Sequence, residues 1–141
     1  MTATIAPSTG QASSVARRNA SSGSPYEATI GFSRATRVGT HIAVSGTAPI
    51  WPDGGLVLDA HAQARRCWEI AIAALEELGG TVADVVRTRQ YITHADSADP
   101  VSQAHGEVFG HIRPASTMVI VAGLLDPRWL VEVELDAIVA D

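Results

Sequence analysis

Apolar positions recur at helical spacing most clearly in one stretch. Ala64, Trp68, Ala71, Leu75 and Leu78 are separated by four, three, four and three residues, which predicts a helix with one apolar face. Asp59 is placed to cap its start, and Gly79-Gly80 to end it. From Trp129 to Val139 the pattern changes to strict alternation. Val131, Val133, Leu135 and Ala137 fall on one side and Glu132, Glu134 and Asp136 on the other, the period of a half-buried strand.

The remaining elements carry weaker signals. Val85 to Ile92 is rich in β-branched and aromatic residues and predicts a strand, interrupted by Arg87 and Arg89. Ser116 to Val121 predicts a short apolar strand just after Pro114. Ile30 to Arg37 and His41 to Ser45 read as a β-hairpin across Val38-Gly39-Thr40, with Gly39 allowing the turn. Trp51-Pro52-Asp53-Gly54-Gly55 is turn chemistry. A second helix is expected from about Asp99-Pro100, with proline at its first position, to Phe109 before Gly110.

The order β-β-α-β-α-β-β implies an α+β sandwich, two helices on one face of a mixed sheet. No third helix remains for the other face. That face is expected to be apolar enough to need cover, and self-association is the natural way to supply it. Residues 1–24, rich in Ser, Ala and Thr and without acidic residues, read as a disordered tail ahead of one domain over residues 25–141. The alternative of a transit-like peptide rests on the arginines there.

Composition narrows the chemistry. The 141 residues carry 10 basic and 15 acidic side chains, a net charge of −5, which argues against nucleic acid as a partner. Every basic residue is arginine, so Schiff-base catalysis through a lysine amine is excluded. The single cysteine, Cys67, excludes an intrachain disulfide and a multi-cysteine metal site, and it reads as an inert core thiol. No apolar run approaches the ~20 residues of a membrane span, and a cytoplasmic location is expected. His41, His61, His94, His105 and His111 lack metal-ligand spacing and read as packing or surface residues. No nucleophile elbow, phosphate loop or dinucleotide fingerprint is present.

Four stretches, in order, carry a resemblance. They are Gly31-Phe32-Ser33-Arg34-Ala35 to Val44-Ser45-Gly46, Asp84-Val85-Val86-Arg87-Thr88 to Tyr91-Ile92-Thr93, Arg113-Pro114-Ala115-Ser116-Thr117, and Val133-Glu134-Leu135-Asp136-Ala137-Ile138. Together, from about Ser24 to Val139, they resemble the YjgF/RidA superfamily of reactive-intermediate deaminases. The resemblance implies a chorismate-mutase-like fold and a homotrimer with small-molecule pockets at the subunit interfaces. It also implies hydrolysis of enamines and imines such as 2-aminoacrylate, with neither metal nor organic cofactor.

The same resemblance exposes departures. In deaminating members Pro-Ala is followed by an arginine that grips the substrate carboxylate, and here Ser116 stands there, followed by Thr117 and Met118. A charged hydrogen-bonded pair of that kind contributes roughly 1.5–3 kcal/mol. Arg113, an odd number of residues away and beyond Pro114, is on the wrong strand face to replace it. Ile120 stands where members often carry a glutamate, and Phe32 where a pocket tyrosine is common. The ligand expected is therefore less anionic or more apolar than a small amino-acid imine.

Glu134 matches the family glutamate that positions the attacking water, a role suited to a carboxylate whose pKa burial has raised. On the residues alone, Glu132, Glu134 and Asp136 also read as a solvated strand face. Ser45 and Gly46 can offer a backbone N–H to a ligand oxygen, or simply end a strand. Gln103 matches a polar rim position, or is a surface glutamine, and Tyr91 is a ligand stacker or a core residue. Trp51 and Trp129 frame the pocket or pack at an interface. Two functions stay open: an enzyme processing an imine, enamine or related reactive intermediate, in a specialised biosynthetic pathway, or a non-catalytic ligand-binding or regulatory trimer.

Overall fold

A computed structural model describes residues 16–140. Eight main elements follow in order: β1 (Arg17–Ala20), β2 (Ala35–Val38), β3 (His41–Thr47), α1 (Ala60–Glu77), β4 (Val85–Ile92), α2 (Ala98–Phe109), β5 (Ala115–Ile120) and β6 (Val131–Ile138). The strands form one six-stranded sheet in the order β1-β2-β3-β6-β4-β5, antiparallel throughout except for the parallel β4–β5 pair. This is the α+β arrangement expected, with one strand more.

The extra strand corrects the expected tail. Arg17–Ala20 pairs antiparallel with β2, Arg17 opposite Val38 and Ala20 opposite Ala35. Ala20 is buried, although its neighbours are polar. Main-chain hydrogen bonds build an edge strand without hydrophobic periodicity, so composition does not register it. Residues 1–15 of that expected tail lie outside the described residues. The hairpin is also shorter at its start than expected, because Glu27–Gly31 forms a tight helical turn before β2.

Helix α1 follows its pattern closely. Asp59 accepts a hydrogen bond from the Ala62 N–H, and all five stripe residues are buried against the sheet. Gly79 takes a positive φ of 90°, and the Gly80 N–H returns to the Leu75 carbonyl, closing the helix end. Neither α1 nor α2 is long and apolar enough to cross a membrane. Val131, Val133, Leu135 and Ala137 of β6 join the core beneath the helices.

The sheet face away from the helices is not apolar. It presents Arg17, Thr36, Ser45, Arg89, Tyr91, Glu132, Glu134 and Asp136, a charged and hydrogen-bonding surface. The same face also carries the exposed apolar side chains of Val38, Val119 and Ile138, so it is mixed rather than uniformly apolar. Ile120 and Leu125 are exposed elsewhere.

Candidate functional site

A hollow of about 670 Å³ opens on the polar sheet face between β1, β2, β3 and β6. Phe32 and Ser33 rim it, following the helical turn, while Ser45 and Glu134 form part of its floor. The alternation of β6 is what aims Glu134 there, since its neighbours Val133 and Leu135 are buried on the other side.

Glu134 is held from β4. Its Oε1 accepts a 2.6 Å hydrogen bond from the Tyr91 hydroxyl and lies 3.4 Å from an Arg89 guanidinium nitrogen. Arg89 stands directly opposite Glu134 in the β4–β6 register and reaches Asp136 Oδ2 at 3.4 Å as well. Tyr91 is therefore not a core residue. Donating this hydrogen bond to Glu134 raises the phenol pKa, with burial adding to the effect. Arg89 enters the site although its sequence position reads only as an interruption of β4. Its signal is the alternation that places it, with Tyr91, opposite the acidic side of β6.

Glu132, two residues before Glu134, carries a raised pKa. Burial pushes the Glu132 carboxyl up, nearby Arg34 pulls it down, and Glu134 adds a smaller upward push. The bulge between Val44 and Thr47 leaves Gly46 against this side chain. A Cβ at Gly46 would stand 2.5 Å from Glu132 Oε2, so glycine makes the room the carboxylate occupies. Arg34 donates to the carbonyls of Ser45 and Gly46, which ties its guanidinium beside the bulge.

The other expected residues lie elsewhere. Gln90 and Met118 are register partners, and Ser116 and Met118 share with Gln90 the side of the sheet facing α2. Thr117 alternates to the opposite side. Ser116 accepts a 2.9 Å hydrogen bond from Gln90 Nε2, and the sheet separates it from Glu134 within one protomer. Gln103 is exposed on α2, where its amide reaches Glu107 at 3.5 Å rather than the hollow. Cys67 is buried, its thiol pushed up by burial, and it donates to the Val131 carbonyl.

Comparison with known proteins agrees with this fold. The family model described as Endoribonuclease L-PSP matches residues 23–139. SCO2049 from Streptomyces coelicolor is 36% identical over 129 residues, covering 88% of this chain and 93% of that one. Rv2704 from Mycobacterium tuberculosis, a solved member of the YjgF/YER057c/UK114 family, is 42% identical with a TM-score of 0.80, over 88% of this chain and 100% of that one. The Rid-family protein YyfA from Yersinia pestis is 31% identical with a TM-score of 0.76, over the same shares of the two chains, 88% and 100%. With a match spanning both helices and the strands β2 to β6, the chain belongs to the YjgF/RidA family.

Proposed function

We propose that this protein hydrolyses a small imine, enamine or related reactive intermediate, with Glu134 orienting the water. The observation that carries the reading is the Glu134 carboxylate on the floor of the hollow, held by Tyr91 and Arg89. Water adds to the carbon of the C=N bond, a carboxylate takes its proton, and the carbinolamine collapses to a carbonyl and ammonia or an amine.

Charge favours a substrate without a carboxylate. The hollow is lined by Glu27, Glu134 and Asp136 against Arg17 and Arg89, a balance that suits a cationic iminium better than an anionic imino acid. Ser116, in place of a carboxylate-gripping arginine, points the same way.

The functional unit in this reading is a homotrimer. Glu134 and Ser116 lie on opposite sides of one protomer's sheet, and a second protomer whose β5 edge meets the hollow would bring the two sets together. Light scattering should give three times the 14.8 kDa chain mass, and a monomer at micromolar concentration would remove the interface.

The activity test compares amine-derived imines with 2-aminoacrylate. Turnover of the former, little of the latter, and a loss of about 10²–10⁴-fold in Glu134→Gln are expected. A larger loss in Glu132→Gln would assign the proton transfer to Glu132. Equal turnover in wild type and both variants would favour the non-catalytic binding module.

A further inference from the structure

A second pocket, of about 420 Å³, runs along the flank of α1 between that helix, the segment after β1 and the loop after β3. It shares no lining residue with the hollow at Glu134. Pockets that enclose a whole ligand run to roughly 300–1,000 Å³, so this one has room for a complete small molecule.

Much of its wall is apolar. Ile50 and Pro52 come from the loop, and Ile70, Ala73 and Ala74 from α1. One guanidinium is set into this wall. Arg34 is partly buried, and its Nη2 donates to the carbonyls of Ser45 and Gly46. Its Nε is buried without a hydrogen-bond partner. Among the described residues no carboxylate stands within ion-pair distance of Arg34. Glu132 and Glu27 act on it only from farther away.

The other donors of the pocket are committed. Arg66 donates to the Ile50 carbonyl at 2.6 Å and pairs with Glu69 at 3.3 Å. The Ser21 and Ser22 hydroxyls donate to Glu27. Arg34 is thus the cation of this lining that lacks a counter-charge, since main-chain carbonyls satisfy donors but do not neutralise a guanidinium. The partner a guanidinium favours most in geometry and charge is a carboxylate. Glu69 and Glu77, both exposed on the same helix, disfavour a dianion. We propose that this pocket binds a small aliphatic monocarboxylate, its carboxylate paired with Arg34 and its alkyl body against Ile50, Ile70 and Ala73.

The lining comes from one protomer, and binding there is independent of the reading given to Glu134.

3-Methylbutanoate and its neutral counterpart 3-methylbutanamide are the probes, with acetate as the anion that lacks the alkyl body. Each is titrated into the full-length protein while the Ile50, Ile70 and Ala73 methyl signals are followed by NMR. 3-Methylbutanoate should shift them saturably, with a roughly millimolar Kd, and the amide and acetate should each bind about tenfold more weakly. Arg34→Met, which keeps the apolar stem, should bring the carboxylate down to the level of the amide. Arg34 also braces the bulge at Gly46, so Ala73→Glu supplies a test that leaves it in place. A like charge at this exposed helix position should weaken 3-methylbutanoate about tenfold and leave the amide within about twofold. The amide binding as tightly as the carboxylate would overturn the proposal. So would shifts confined to the Met118 methyl, away from α1, or an undiminished carboxylate affinity in both variants. Binding is read without turnover, so a protein that hydrolyses nothing would still pass or fail this test.

Discussion

The Tyr91 hydroxyl donates to Glu134 across the β4–β6 ladder, reaching diagonally past Glu132, its own register partner. Tyr91 holds its proton more tightly because it donates that proton in a hydrogen bond to Glu134, with burial adding to the effect. In a Tyr26→Phe background, where Tyr91 is the remaining phenol, ultraviolet titration should place its pKa above the ordinary value of about 10. Glu134→Gln should bring that pKa down. An unchanged titration would show that the contact does not persist in solution.

Gly46→Ala tests the room made for Glu132. The clashing atom is the far end of a flexible side chain, so the carboxylate swings aside and stability should fall by less than about 1 kcal/mol. Turnover should stay within a few-fold of wild type, because Glu134 is left in place; a far larger loss would assign the proton transfer to Glu132. In a Glu132→Ala background the same substitution should have little further effect on either quantity. Additive losses would place the cause elsewhere.

The buried Glu132 also makes stability depend on pH. Its folded-state pKa is raised, so its contribution is fully present below the unfolded value of about 4.3 and is lost as pH rises through the higher folded value. Urea midpoints of wild type and Glu132→Gln should therefore diverge in that window, wild type losing ground as pH increases. Divergence in the opposite direction would contradict burial as the dominant influence.

Gln63 fastens the segment before β6 to α1. Its side-chain oxygen accepts from the Leu130 N–H at 2.7 Å, and its amide nitrogen donates to the carbonyls of Val57 and Arg128. Gln63→Leu fills the volume but leaves three part-buried main-chain groups without their partner, and an unpaired buried group costs about 1–3 kcal/mol. A loss of about 2 kcal/mol or more in urea unfolding is expected, with no change in oligomeric mass.

Periodicity in this chain is local, and so α1 and β6 are written in it. The stripe from Ala64 to Leu78 and the alternation from Val131 to Ala137 each state which side chains face the core, because 3.6 and 2 residues per repeat follow from backbone geometry alone. Glu134 could thus be set on the side away from the core before any partner was known. Arg89 and Tyr91 become its surroundings, and the bulge at Gly46 those of Glu132, only through pairing between strands more than forty residues apart. Ser116 is the sharper case. Its neighbourhood with Gln90 and His105, on the side opposite Glu134, depends on the parallel β4–β5 register and on where α2 packs. Strand β1 has no hydrophobic pattern at all, since its place comes from main-chain hydrogen bonds to β2, which every sequence can make and none announces.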